Sequence, residues 1–244
     1  MKKDKKNTTT PKNLFQLEKI LGLKFKNINL FQQAFTHRSY LNECKNWIYG
    51  QNERLEFLGD AVLELITTEY LYFTFELSEG QLTHLRASLV NTKSLAELAQ
   101  KLHFDEFLYL SKGERATFPR GKQHILANTL EAFIGALYLD QGIEVVKKFL
   151  SKYLLKKANF ILKNELYKDA KSTFQEIAQN RFGITPTYKL VEESGPSHAK
   201  IFTINLMLGD KIIAKGKGKS KQEAQTVAAS LALSRWKQSP NKIC

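Results

Sequence analysis

The chain has little cysteine, little proline and no long apolar run. Its only cysteines, Cys44 and Cys244, are too few for the disulfide framework of a small secreted domain. No apolar run approaches the roughly 20 residues that a membrane-spanning helix needs. Residues 1–12 are polar and basic, unlike a secretory signal. We therefore expect a soluble, cytoplasmic protein with no membrane partner.

The charge of the chain is unbalanced. Lysine and arginine number 37 against 24 aspartates and glutamates, which gives a formal net charge of +13 and indicates a polyanionic partner. Residues 166–244 contain 13 basic and 6 acidic side chains, whereas residues 1–165 contain 24 and 18. The basic excess is therefore densest towards the C-terminal end. A simpler alternative is that the lysines only increase solubility.

The hydrophobic periodicity of residues 14–163 is helical throughout. Ser78 and Gln81 form a capping-box pattern that predicts the start of a helix. We expect Ser111–Gln123 to be a loop, because this polar stretch contains glycines and a proline. His124–Leu139 predicts a long apolar helix, and Ile143–Lys163 predicts the last helix of this part.

The pattern changes after Glu165. Capping boxes at Ser172 and Ser220 predict two helices, and three β-rich segments separated by turns lie between them. The predicted fold class is an all-α domain followed by a small α+β domain in the order αβββα. The expected organisation is a flexible basic tail (1–12), the helical domain (13–163), a linker (164–171) and the αβββα domain (172–238).

A group of carboxylates provides the first candidate for chemistry. Glu53, Glu56 and Asp60 are spaced i, i+3 and i+7, so they share one helix face. Stacked carboxylates repel each other, and Mg²⁺ or Mn²⁺ prefers such oxygen clusters. A solvated acidic face balanced by Arg54 is the alternative. Gly59 inside this helix indicates a close packing contact.

A second polar pair interrupts an otherwise apolar helix. Asn128 and Glu131 are three residues apart within Ile125–Gly135, and a carboxylate in such surroundings usually has a partner or a metal. If this helix packs against the carboxylate helix, the pair completes a divalent-metal site. No Ser/His/Asp or Cys/His arrangement competes with it, and we expect the scattered histidines to be structural or superficial: His37, His84, His103 and His124.

These segments resemble a known family. The run Asn52–Leu63 is similar to the signature of the ribonuclease III family, and three further segments resemble that family in its own order: Thr36–Tyr40, Leu85–Val90 and Ile125–Gly135. The αβββα part resembles a double-stranded-RNA-binding domain. Together the resemblances span about residues 14–236.

The resemblance implies a bacterial-type ribonuclease III that forms a homodimer and uses Mg²⁺, with Mn²⁺ as a substitute. Asp60 and Glu131 match the family's catalytic acids, and Glu53 and Glu79 match auxiliary acidic positions. The alternative for Glu79 is that it only stabilises the helix dipole from the first turn. Asn128 departs from the family, because many members carry Asp there. Glu56, Asp60 and Glu131 match the family's acidic metal ligands, and we expect Asn128 to complete the set through its amide oxygen. The alternative is that Asn128 only hydrogen-bonds a neighbouring ligand.

The expected reaction is metal-dependent hydrolysis of double-stranded RNA to 5′-phosphate and 3′-hydroxyl ends, in the processing of precursor rRNA and other structured transcripts such as mRNA and tRNA. A catalytically silent RNA-binding dimer is the alternative, and a binder of structured DNA is a third. The αβββα domain should bind A-form RNA by its shape. Its expected contact residues are Thr173, Gln175, Glu176, His198, Lys217, Lys219 and Lys221.

Overall fold

The computed structural model describes residues 13–164, 170–196 and 200–238, apart from the side chains of residues 237 and 238. These residues form two compact units, 13–164 and 170–238. The predicted 1–12 tail, most of the 164–171 linker and His198 lie outside the described residues. The first unit is helical and the second is αβββα, so the predicted fold class is confirmed.

The helices of the first unit are α1 (Leu14–Leu21), α2 (Ile28–Ala34), α3 (Tyr40–Glu43), α4 (Glu53–Thr74), α5 (Glu79–Val90), α6 (Thr92–Lys101), α7 (Lys112–Gln141), α8 (Ile143–Tyr153) and α9 (Ala158–Lys163). Several begin at side chains that accept a hydrogen bond from the first turn. The capping box at Ser78 and Gln81 is present at the start of α5, as predicted. The C-terminal half of α7 is buried on nearly all sides, so α7 forms the centre of this unit.

The prediction of a loop at Ser111–Gln123 was wrong, because α7 begins at Lys112 and includes Pro119. A proline in a helix interior costs about 3 kcal/mol, so other contacts must offset it. The Ser111 hydroxyl accepts a hydrogen bond from the Glu114 N–H and caps the helix. The Lys122 ammonium lies 2.9 Å from the carboxylate of Asp105 and ties this half of α7 to the unit.

The single helix predicted for Ile143–Lys163 is interrupted. α8 ends at Tyr153, and a 3₁₀ turn over Leu155–Lys157 precedes α9. Leu154 and Leu155 are both buried, whereas consecutive residues on a regular α-helix point about 100° apart. The break turns both leucines towards the core.

The backbones of α4 and α7 are in close contact where the two helices cross. A Cβ atom placed on Gly59 would lie 1.7 Å from the carbonyl oxygen of Glu131, and one on Gly135 would lie 2.2 Å from the carbonyl oxygen of Leu55. Any side chain at either glycine would force the two backbones apart. The packing contact predicted from Gly59 is therefore confirmed, and its partner is α7.

The elements of the second unit are α10 (Ala170–Phe182), β1 (Thr187–Ser194), β2 (Ile201–Leu208), β3 (Lys211–Gly218) and α11 (Lys221–Gln238). The three strands form an antiparallel sheet in the order β1-β2-β3. Phe174 on α10 and Leu206 on β2 are fully buried in the core between sheet and helices. Gly216 on β3 lets α11 approach, because a Cβ there would lie 2.1 Å from the carbonyl oxygen of Ala224.

The two capping boxes predicted for this unit have different outcomes. Ser172 lies inside α10, which begins at Ala170, so the prediction that Ser172 caps the helix was wrong. Ser220 does cap α11 by accepting from the Glu223 N–H, but the Glu223 carboxylate accepts from the N–H of Lys219 instead of that of Ser220. Among the described residues, no helix has the length and apolar character needed to cross a membrane.

The glycine crossing predicts a contrast between two substitutions in α7. Gly135→Ala should lower the free energy of unfolding by about 3 kcal/mol or more, because its methyl group overlaps the α4 backbone. Gly121→Ala, in the same helix, meets nothing closer than 3.9 Å and should raise the free energy of unfolding by about 1 kcal/mol. Urea denaturation of the two variants measures both effects. Equal stabilities would contradict a close crossing at Gly135.

Candidate active site

The crossing of α4 and α7 brings the predicted metal ligands together. Glu56 and Asp60 lie on α4 on either side of the Gly59 contact, and Asn128 and Glu131 lie on the facing part of α7. The backbone carbonyl of Glu131 lies against Gly59, so the Glu131 side chain begins close to α4. The structure thus places the four predicted ligands at one crossing, although they come from distant parts of the sequence.

The carboxyl groups at this crossing interact strongly. Burial raises the pKa of Glu131 to about 7, and the charges of Asp60 and Glu56 contribute to the increase. Burial also raises the pKa of Glu56, and hydrogen bonding with the Asn128 side chain acts in the opposite direction. In the described part of the chain, no ion pair links these three carboxylates to a lysine or arginine. Among the described residues, no salt bridge therefore offsets their mutual repulsion.

The donor set suits a hard divalent cation. Carboxylate and amide oxygens are the ligands that Mg²⁺ prefers, and a 2+ charge offsets the repulsion that raises the pKa of Glu131. Within residues 13–164, 170–196 and 200–238, no three His, Cys, Asp or Glu side chains form a group that could hold a metal ion as they stand. The residues fit the ion because they are oxygen donors that lie at one crossing. Binding of an ion requires their side chains to move closer together.

The two auxiliary acidic positions lie in different places. Glu53 begins α4, where its carboxylate lies 3.5 Å from the Arg38 guanidinium and accepts a hydrogen bond of 3.0 Å from the Gln51 side chain. Glu79 begins α5 and lines a cavity with Leu71. Leu71 follows Glu56 by four turns of α4, about 22 Å along the helix axis. Glu53 is therefore at the edge of the candidate site, and Glu79 is distant from it within this chain.

A cavity of about 370 Å³ opens beside Glu56 and Asn128. His37, Arg38 and His124 also line it, so two imidazoles and a guanidinium face the carboxylate edge. No spacing of residues in the sequence predicts that these three side chains lie near the carboxylates. The sequence also does not predict that Gln51 contacts Glu53 or that Gly135 packs against α4, because only the fold brings these residues to the site.

The predicted RNA-binding residues lie at several positions of the second unit. Gln175 and Glu176 are exposed on α10, and Thr173 is half-buried there. Lys219 and Lys221 are exposed at the start of α11, and the Lys221 ammonium lies 3.4 Å from the Glu193 carboxylate.

Lys217 lies on the other side of the sheet from these lysines. Its neighbours Gly216 and Gly218 both face α11. Side chains alternate across a strand, so Lys217 points to the sheet face opposite α11. The structure groups Lys219 with Lys221 and separates Lys217 from them.

Comparison with known proteins agrees with this division into units. The family model described as Ribonuclease-III-like matches residues 27–158, and the model described as double-stranded RNA binding motif matches residues 170–235. The class of protein is therefore a nuclease with an attached module for duplex RNA.

The relatives are similar along most of the chain. Ribonuclease 3 of Campylobacter fetus is 47% identical over 217 residues, which cover 88% of this chain and 95% of that protein. Ribonuclease 3 of Enterococcus faecalis is 43% identical over 220 residues, covering 89% and 95%. This chain belongs to the ribonuclease III family, and it is an endoribonuclease for double-stranded RNA.

A solved structure is similar to the first unit. The nuclease domain of ribonuclease III from Campylobacter jejuni is 41% identical, with a TM-score of 0.54, and the match covers 60% of this chain and 98% of that one. That structure shows flexibility in a region involved in dimer formation.

The raised pKa of Glu131 predicts a pH-dependent stability of the metal-free protein. Below pH 4.5 this glutamate is protonated whether the chain is folded or unfolded. Between pH 4.5 and about 7 only the unfolded chain loses the proton, so the folded state loses stability as the pH rises. Glu131→Gln removes this penalty. Its melting temperature in a chelator should therefore exceed that of the wild type by more at pH 8 than at pH 5.

The matched control is Glu64→Gln. Glu64 is an exposed glutamate on α4, and its spacing places it on the same helix face as Glu53. We expect it to change the melting temperature similarly at both pH values. A stability gain in Glu131→Gln that does not vary with pH would contradict the ionisation penalty assigned to Glu131.

Proposed function

We propose that this protein hydrolyses double-stranded RNA with a divalent metal ion held at the α4–α7 crossing. The observation that supports the proposal is the group formed by Glu56, Asp60 and Glu131, in which burial, together with the charges of Asp60 and Glu56, raises the pKa of Glu131 to about 7. Such a group is costly to the folded protein unless a cation binds there. The proposed ion is Mg²⁺, for which Mn²⁺ can substitute because it accepts the same oxygen ligands.

Each residue has a separate proposed role. Asp60 and Glu131 are the catalytic acids and bind the ion together with Glu56. Asn128 positions Glu56 through its amide N–H, and its amide oxygen is a metal ligand that contributes no charge. The ion, when bound, supplies an activated water and neutralises charge on the phosphoryl oxygens. The carboxylates hold the ion close to the scissile phosphate.

The expected products carry 5′-phosphate and 3′-hydroxyl ends. Membership of the ribonuclease III family supports this polarity. The proposed substrates are duplex regions of precursor rRNA and of other structured transcripts, including mRNA and tRNA precursors, in the cytoplasm.

We propose that the enzyme acts as a homodimer through α4. Phe57, Leu65 and Tyr72 are 83%, 60% and 69% exposed, and their spacing of eight and seven residues puts them within one broad helix face. Exposed large apolar side chains in a row are typical of an interface. The region involved in dimer formation in the Campylobacter jejuni nuclease domain supports the same assembly. Two sites are needed because a duplex has two strands.

A cleavage assay with Glu131→Gln tests the proposed reaction. The wild type should cut long duplex RNA with Mg²⁺ and stop when a chelator is added, and its products should carry 5′-phosphate ends. Glu131→Gln should reduce the rate at least about 10³-fold, because it removes a charged ligand from the ion, but RNA binding should persist. Glu64→Gln is the control and should cut normally.

Two outcomes would contradict the proposal. Cleavage by Glu131→Gln at near the wild-type rate would remove Glu131 from the metal site. Duplex binding without cleavage by the wild type itself would favour the silent RNA-binding dimer, and equal competition by duplex DNA would favour the DNA binder.

The second unit should contribute affinity through Lys219 and Lys221. We propose that these lysines contact RNA phosphates, because both are exposed where α11 begins and the helix N-terminus also attracts anions. The remaining proposed contacts are Thr173, Gln175, Glu176, His198 and Lys217.

The salt dependence of binding tests this assignment. Lys219→Ala and Lys221→Ala should each weaken duplex binding and reduce the slope of log K against log salt by about 0.9. Lys211→Ala is the control, because this exposed lysine lies at the other end of β3. An unchanged slope in both test variants would exclude their phosphate contacts.

A further inference from the structure

His37 lies in the segment between α2 and α3, where hydrogen bonds fix both its backbone and its ring. Its backbone N–H donates to the Tyr109 carbonyl at 3.1 Å. Its ring nitrogen Nδ1 lies 2.8 Å from the Ser39 hydroxyl oxygen and accepts a hydrogen bond of 3.3 Å from the Ser39 backbone N–H. The position of the imidazole ring is therefore fixed on its Nδ1 side.

These contacts decide where the ring carries its proton. A backbone N–H can only donate, so Nδ1 must be an acceptor. Because Nδ1 has no proton to give, the Ser39 hydroxyl donates in the 2.8 Å contact with Nδ1, and its oxygen accepts from the Ser111 N–H at 3.2 Å. A neutral imidazole with Nδ1 as an acceptor has its proton on Nε2. The contacts with Ser39 therefore make Nε2 a hydrogen-bond donor.

The Nε2 atom of His37 has no hydrogen-bond partner among the described residues, and the residue lies beside the proposed metal-binding carboxylates. The atom is not among the buried unpaired polar atoms of the described residues. The ring lines the cavity that contains Glu56 and Asn128, and also an adjoining cavity of about 610 Å³ that contains Glu114. His37 thus carries a donor with no acceptor among the described residues, and it lines the cavity next to the site.

We propose that His37 contacts the substrate, donating a hydrogen bond from Nε2 to a non-bridging phosphate oxygen of the RNA strand that enters this cavity. The proposal rests on the proposed metal-dependent cleavage at the adjacent carboxylates. Phosphate oxygens accept hydrogen bonds, and Arg38 on the same cavity wall supplies a positive charge. The carboxylates that hold a cation are ionised and can only accept, so they cannot provide this contact. Ser39 is a positioning residue, because it acts through His37.

The test compares His37→Gln with His37→Asn in the full chain. The amide nitrogen of Gln reaches the position of Nε2, whereas that of Asn reaches only the position of Nδ1. Mg²⁺ is saturating in this assay, and the concentration of duplex RNA is varied. His37→Asn should lower kcat/KM about 10- to 100-fold, the effect of losing one hydrogen bond to a charged group. His37→Gln should retain most of the activity. His84→Gln, a change on α5 outside both cavities, is the control.

Two further measurements separate this role from others. The Mg²⁺ concentration for half-maximal cleavage should be the same in His37→Asn and in the wild type, and Ser39→Ala should cause a smaller loss than His37→Asn. Equal losses in the Gln and Asn variants, no loss in His37→Asn, or recovery of His37→Asn at higher Mg²⁺ would overturn the proposal. The wild type in the same assay reports on the proposed cleavage itself, so failure of that function is recognised separately.

Discussion

The contact on which the rest of the first unit depends is the one between the backbones of α4 and α7. Gly59 and Gly135 lie against carbonyl oxygens of the opposite helix, at distances that exclude a Cβ atom. Two helices packed through larger side chains lie about 8–10 Å apart, and the glycines remove those side chains at this point. The short separation is what allows Glu56 and Asp60 to interact with Glu131 across the crossing.

The same crossing creates an electrostatic cost at the candidate site. The buried half of α7 offers Glu131 little solvent, so ionising this residue beside two other carboxylates is unfavourable. A protein that only needed stability would replace such a group with apolar side chains. The packing energy of the surrounding core, centred on the aromatic contacts of Phe133 with its neighbours, offsets the repulsion.

The sequence predicted those features that depend on local rules. The helix face of Glu53, Glu56 and Asp60, the capping box at Ser78 and the αβββα order all follow from spacing between near neighbours. The N-terminal half of α7 was predicted as a loop because it contains Pro119 and two glycines. In the fold, the cap at Ser111 and the ion pair of Lys122 stabilise the helix there. The position of His37 at the site depends on the arrangement of α4 and α7, which no local pattern records.

The crossing also determines when the proposed metal site can first form during protein synthesis. Asp60 and Glu131 lie on either side of α5 and α6 in the sequence, so the ribosome releases the first acidic half long before its partner. Contacts between such distant residues form late, and nascent chains fold as whole domains. An incomplete chain that ends before α7 contains Glu56 and Asp60 but no opposing helix. Translation that stops early therefore yields a fragment with only half of the proposed metal site.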